Sequence, residues 1–337
     1  MRAVGFTQSL PIADEKALID LDLAEPVPGP RDLLVRVRAV SVNPVDTKVR
    51  MRGAPADGAP QILGYDAAGI VEAVGAQVTR FRPGDAVFYA GALGRPGTNA
   101  ELHLVDERIV GYKPAALSFA EAAAMPLTAI TAWEALFDRL DIRRAVPGAD
   151  AAILIVGGAG GVGSIATQLV RQLTDLTVVT TASRPETAQW SRDLGAHHVI
   201  DHTRPLAAEI AELGIAPAFV FSTTNTDRHL PEIGQLIAPQ GRFALIDDPA
   251  ALDVLPFKRK SVSTHWEFMF TRSMFGTADM DAQGRLLDEV ARLVDAGTLR
   301  TTVAETFGTI SAANLRRAHA LIESGRAKGK IVLEGWA

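Results

Sequence analysis

The stretch LIVGGAGGVGSIATQL, Leu154 to Leu169, decides the fold. Three apolar residues lead into glycines at 157, 158, 160, 161 and 163, and a helix-like pattern follows. Gly158-x-Gly160-x-x-Gly163 fits a dinucleotide-binding turn. The first glycine permits the tight turn, the second lets the backbone approach a pyrophosphate, and the third lets helix and strand pack closely. Gly161 and Val162 then fall in the first helical turn, where unpaired N–H groups at the positive end of the helix dipole face the anion. A lone GxGxxG is weak, but this one sits between a strand and a helix.

Working outward, the chain from Ala151 alternates strand and helix. AAILIVG precedes GSIATQLVRQL, TVVTTAS precedes PETAQWSRDLG, HHVID precedes PLAAEIAEL, AFVFST precedes HLPEIGQLIA, and GRFALI closes the series. Short apolar strands joined by helices imply right-handed crossovers and a buried parallel sheet. The first 120 or so residues read differently, as short strands such as DLLVRVRAVSV punctuated by PGP, RPGD and GRPG. At SFAEAAAMPLTAITAWEALF an Ala-rich helix is expected, with Ser118 and Glu121 as its capping box. The final strand-like KGKIVLEG is expected to return to the first domain. The reading is α/β: a Rossmann doubly wound domain over 125–266, and a discontinuous β-rich domain over 1–124 and 267–337.

Composition narrows the function. Of 337 residues, 47% are hydrophobic and 22% charged, as in an ordinary globular chain with a large core. The net charge of -5 and the lack of a basic stripe argue against nucleic acid, and FKRK (Phe257 to Lys260) reads as a solvated loop. No apolar run is long enough to span a membrane, and the N-terminus has no signal-peptide pattern, so a cytoplasmic enzyme is expected. Zero cysteines exclude disulfides, thiolate zinc sites and cysteine nucleophiles.

Four segments carry a resemblance: SVNPVDTKVR (Ser41 to Arg50), GYDAAGIVEAVG (Gly64 to Gly75), RPGDAVF (Arg82 to Phe88) and GGAGGVGS (Gly157 to Ser164). Together, in this order, they resemble the medium-chain dehydrogenase/reductase superfamily. The similarity is to its quinone oxidoreductase branch, in a subgroup often labelled zinc-type alcohol dehydrogenase-like. The resemblance implies a GroES-like catalytic domain, a Rossmann domain and a site in the cleft between them. In zinc-containing relatives a cysteine, a histidine and a further cysteine or acid hold the metal. Here those places fall at or beside Asn43, at Tyr65 and near Leu127, none a good zinc ligand. His197, His198 and His202 in AHHVIDH do not replace them, because neighbours on a strand point to opposite faces. No metal is expected.

The cofactor expected is NADPH. An NAD enzyme places a carboxylate at the end of the second Rossmann strand, where it bonds the ribose 2′-OH and repels a 2′-phosphate. In TVVTTASRPE that place is Ala182, followed by Ser183 and Arg184, a hydroxyl and a guanidinium suited to phosphate. His202, after the third strand, adds a donor. The resemblance assigns further contacts: Thr131 near the nicotinamide, Ser222 and Thr223 after the fourth strand, Ile246 and Asp247 after the fifth, and Lys330 as a cation for the pyrophosphate.

Without zinc, negative charge developing in the substrate must meet hydrogen-bond donors or spread through the substrate itself, as it does in quinones and α,β-unsaturated carbonyls. Hydride transfer from NADPH to such an acceptor is therefore expected, with Asn43, Lys48 and Tyr65 as candidate donors of a proton or hydrogen bond. A packed Tyr65 and a solvated Lys48 are the plain alternative. Trp266, Phe268 and Phe270 in THWEFMFTR would share one face of an extended segment, lining a flat pocket or forming the edge of a homodimer. The competing functions are a zinc alcohol dehydrogenase with atypical ligands and a non-catalytic NADPH-binding protein.

Overall fold

The computed structural model describes residues 1–53 and 59–336. Contacts divide the chain into two compact units, Met1–Ile130 with Phe270–Ala337, and Thr131–Met269. These edges fall at 130/131 and 269/270, against the 124/125 and 266/267 read from sequence texture.

In the contiguous unit, β1 (Asp150–Val156), β2 (Thr177–Thr181), β3 (His198–Ile200), β4 (Pro217–Ser222), β5 (Arg242–Leu245) and β6 (Ser263–Trp266) form one parallel sheet. Their order is 3-2-1-4-5-6. Helices α1 (Gly161–Leu173), α2 (Pro185–Asp193), α3 (Leu206–Glu212) and α4 (Thr226–Leu236) make the crossovers. Leu154, Val156, Val179, Val220 and Phe243 are all buried, which explains why the strands read as continuous apolar runs. The order reverses between β1 and β4, so the crevice at their carboxyl ends opens beside Gly157 and Thr223.

The other unit is β-rich. Strand Asp32–Val42 alternates its burial and lies inside a seven-stranded sheet, flanked by Ala67–Val74, Leu102–Asp106 and Lys330–Glu334. Ile331 pairs antiparallel with Val42 and Glu334 with Ala39, so the strand Lys330–Glu334 completes a sheet begun by Asp32–Val42. A smaller sheet joins Arg2–Phe6 to Ile19–Asp22 and Gln61–Ile62.

The Ala-rich helix differs from expectation. Ser118 and Glu121 do form a capping box over Phe119–Ala123, but the helix stops there and a second begins at Pro126, running to Trp133. Proline lacks the N–H that a continuous helix would need and suits the first position of a new one. A π-helical turn, Glu134–Arg139, then follows, and the buried Arg242 guanidinium donates to the Leu140, Asp141 and Arg144 carbonyls beyond it. Among the described residues no helix is long and apolar enough to cross a membrane.

Candidate nucleotide site and a buried ion network

The glycine loop is built by close approach. Gly157 has φ +85°, in the left-handed region, and its N–H donates to Thr181 Oγ1 at 2.9 Å. A Cβ on Gly163 would lie 2.2 Å from the Gly157 carbonyl oxygen, and one on Gly158 would lie 2.5 Å from Thr180 Cβ. Gly160 is different, since its nearest neighbour would be 3.4 Å away, leaving the backbone accessible. It is also the N-cap of α1, and no side chain caps that helix. First-turn N–H groups, including those of Gly161 and Val162, thus face a space kept clear by glycines. A pyrophosphate fits such a cradle. Thr223 closes the other side, its N–H and Oγ1 both donating to Val156 O.

Next to the loop, β2 ends at Thr181, and Ala182 N–H continues the pairing to Ile200 O. Ser183 is exposed, while Arg184 is the N-cap of α2 and is paired to Glu186 at 3.1 Å. His202 is half-buried, 6.4 Å ring to ring from the buried His229. Burial lowers the pKa of His202, with Arg228 and Arg184 adding to the effect and Asp201 opposing it. Arg184, Arg228 and His202 therefore share one electrostatic neighbourhood. Arg228 was not expected from sequence, because it lies on α4, far along the chain from the β2 end.

The remaining candidates in this unit are partly committed elsewhere. Asp247 accepts from Thr226 N–H at 2.9 Å and from the Thr226 hydroxyl, which also bonds Ser222 Oγ at 2.7 Å. These three groups cap the start of α4. Ile246 is half-buried and Thr131 buried. His197 Nδ1 accepts from Val178 N–H at 2.9 Å.

In the β-rich unit the structure joins Asn43 and Lys330, and departs from what was expected of both. Lys330 is 3% exposed, and its ammonium donates to Asn43 Oδ1, to Asp66 Oδ2 at 3.0 Å and to Val42 O at 3.2 Å. All three N–H bonds are spent inside the unit, leaving none for a pyrophosphate. Asn43 Nδ2 donates to Asp66 Oδ2 at 2.8 Å, so both ends of that amide are also engaged. Asp66 Oδ1 accepts from Leu127 N–H at 2.8 Å, and Asp46 accepts from the N–H groups of Asn43 at 2.6 Å and Gly64 at 3.0 Å. Burial pushes the Asp46 carboxyl up to about 7 and also raises Asp66, with Lys330 opposing both. Sequence reading named two members of this network and missed the two carboxylates. Tyr65 is 1% exposed and packs edge-to-face on Phe270 at 5.4 Å; burial, then the Asp46 charge, raises its hydroxyl pKa. Lys48 is half-buried on the helix Pro44–Arg52.

This neighbourhood does not fit zinc. Tyr65 and Leu127 supply no suitable donor, Asn43 is occupied, and an ammonium already sits on Asp66, where it would repel a divalent ion. Among the described residues no three His, Cys, Asp or Glu side chains form a group that could hold a metal.

A doubly wound sheet carrying this loop, in a chain that also builds a separate β-rich unit, defines an oxidoreductase of the nicotinamide-dinucleotide type. The family models agree. Residues 29–133 match the alcohol dehydrogenase GroES-like domain, and residues 194–333 match the zinc-binding dehydrogenase domain. The chain is 39% identical over 337 residues to a zinc-type alcohol dehydrogenase-like protein of Staphylococcus aureus, covering 99% of each. It is 32% identical to a quinone oxidoreductase of Pseudomonas aeruginosa, covering 91% of this chain and 92% of that one. A solved Rhizobium etli protein superposes with TM-score 0.98 at 65% identity, covering 100% of this chain and 98% of that chain. The chain belongs to the medium-chain dehydrogenase/reductase superfamily.

Proposed function

We propose that this oxidoreductase uses NADPH to reduce quinones or α,β-unsaturated carbonyls without a metal. The observation that carries the reading is a nucleotide cradle in a chain whose family metal position is filled by Tyr65 and the Asn43–Asp66–Lys330 network. When bound, NADPH supplies the hydride. The first-turn N–H groups of α1 hold the pyrophosphate. Ser183, Arg184 and His202 receive the 2′-phosphate, joined by Arg228. Thr131, Ser222, Thr223, Ile246 and Asp247 lie along the nicotinamide half, Ser222 and Asp247 by fixing the start of α4.

With no Lewis acid, charge on the acceptor is best spread by conjugation, which selects the substrate class. Lys48 and Tyr65 remain the proposed donors to the substrate. Asn43, held at both ends, acts by orienting what surrounds it, and Lys330 neutralises Asp66 instead of reaching a phosphate. We further propose a homodimer formed along β6, the sheet edge that exposes Trp266 at 52%, with Phe268 just beyond it at 48%.

The test is a panel of quinones, enones, ketones and simple alcohols, with NADPH oxidation followed spectroscopically and zinc measured by elemental analysis. Turnover of conjugated acceptors by zinc-free protein is expected. Efficient oxidation of simple alcohols, with zinc and activity lost together to a chelator, would overturn the reading.

A further inference from the structure

Two carboxyl groups outside the Lys330 network meet in the nucleotide unit. Glu134 opens the π-helical turn and is 1% exposed, and Glu267 follows β6 and is 2% exposed. The Glu267 carboxyl lies close enough to the Glu134 carboxyl for the two to interact. Its Oε2 accepts from Arg139 Nε at 3.1 Å, and its Oε1 is buried with no hydrogen-bond partner among the described residues. Ionised carboxyls are acceptors only, so two of them in contact away from water hold a proton between them. Burial raises the Glu267 pKa well above the usual carboxyl range, and Glu134 raises it further, against the pull of Arg139. His265 on β6, bonded to Ser263, lies in the field of Arg139 and of Arg242 on β5.

The position of the pair matters as much as its chemistry. Glu134 lies about one turn beyond Thr131 on the helical stretch that continues from Pro126–Trp133. Glu267 N–H donates to Leu245 O at 3.0 Å, which sets it beside Ile246 at the carboxyl rim of the sheet. Thr131 and Ile246 are two of the residues proposed above for the nicotinamide half. A π-helical turn at such a place is a frequent mark of function.

We propose that the Glu134–Glu267 pair stores the proton consumed by the reduction. The inference rests on the function proposed above. Hydride addition to a conjugated acceptor brings both electrons and leaves an enolate or a hydroquinone anion, which needs one proton. The pair releases its shared proton toward that anion and becomes two carboxylates, one charge being offset by Arg139. A proton from water then restores it. Glu134 and Glu267 are positioning residues in this scheme, since neither is shown to touch the acceptor.

Glu267→Gln separates proton storage from structure. The amide can still donate to Glu134 and accept from Arg139, but it carries no exchangeable acid proton. The first measurement is infrared difference spectroscopy of the cofactor-free protein at neutral pH. A protonated-carboxyl band that shifts in D2O and vanishes in Glu267→Gln is expected, and its absence from the wild type overturns the proposal. The second is turnover of the best acceptor from the panel, with NADPH affinity measured in parallel. Turnover should fall about a hundredfold or more while affinity stays within about twofold. A Glu267→Gln protein as fast as the wild type overturns the proposal alone. A wild type that binds NADPH but reduces no acceptor overturns the proposed function and this inference with it, whatever the infrared band shows.

Discussion

Arg184 stands where β2 ends, with its side chain 39% exposed and Glu186 3.1 Å away. Free of nucleotide it has a partner, so the 2′-phosphate proposed for it would compete with a carboxylate. Replacing Arg184 with Ala should weaken NADPH about ten- to a hundredfold, the worth of one charge-assisted contact, and leave NADH almost unchanged. Glu186→Gln should do the opposite and tighten NADPH. Fluorescence titration with both cofactors checks this, and equal losses for NADPH and NADH would mean that Arg184 holds α2 instead of phosphate. His319 poses a different problem for a single side chain. It is 0% exposed, neither ring nitrogen has a hydrogen-bond partner among the described residues, and burial, with the Arg50 charge, lowers its pKa from 6.5 to about 3. The unfolded chain therefore binds a proton that the native chain refuses. The stability this represents is complete above about 6.5 and drains away as pH falls toward about 3, by up to about 1.4 kcal/mol per pH unit. His319→Leu breaks no hydrogen bond and should flatten that slope without loss at neutral pH. Urea denaturation at about pH 7 and about pH 5 tests it, and an unchanged slope would show another group to be responsible.

The strand Lys330–Glu334 delivers a cation to a carboxylate 264 residues away in sequence. Lys330→Met would leave Asp66 buried without its counter-charge and should cost about 3–5 kcal/mol. Adding Asp66→Asn should recover part of that loss, a coupling that a double-mutant cycle reads directly. If the single and double variants are equally unstable, Lys330 matters for packing and not for charge. This network also marks the boundary of what sequence could disclose. The glycine loop and the Ser118–Glu121 cap are local backbone chemistry, written within a few residues, and both were legible. Asp66, Lys330, Glu134 and Glu267 acquire their meaning only when distant strands and helices pair, and nothing in their immediate surroundings announces it. Phe270 was misread for a related reason. Alternation placed it with Trp266 and Phe268, but the chain leaves β6 after Trp266, and Phe270 ends 2% exposed against Tyr65.

For the whole molecule, β6 is the terminal strand of its sheet among the described residues, with Trp266 on it 52% exposed and Phe268 just beyond it 48% exposed, and such an edge invites association. Light scattering should give the mass of a dimer, and Trp266→Glu should shift it toward that of a monomer. A wild-type monomer at micromolar concentration would refute the β6 pairing.

The two units differ in when they can be finished. Thr131–Met269 is one unbroken run of chain, whereas the β-rich unit waits for the strand Lys330–Glu334 before its sheet closes. During synthesis the nucleotide unit can condense as soon as it emerges. The strand Asp32–Val42, made much earlier, must meanwhile keep one edge open, and closing so long a loop is entropically slow. A chain lacking that strand is therefore a nearly complete nucleotide unit attached to an incomplete partner, and its vulnerable interval lasts until Lys330–Glu334 is made.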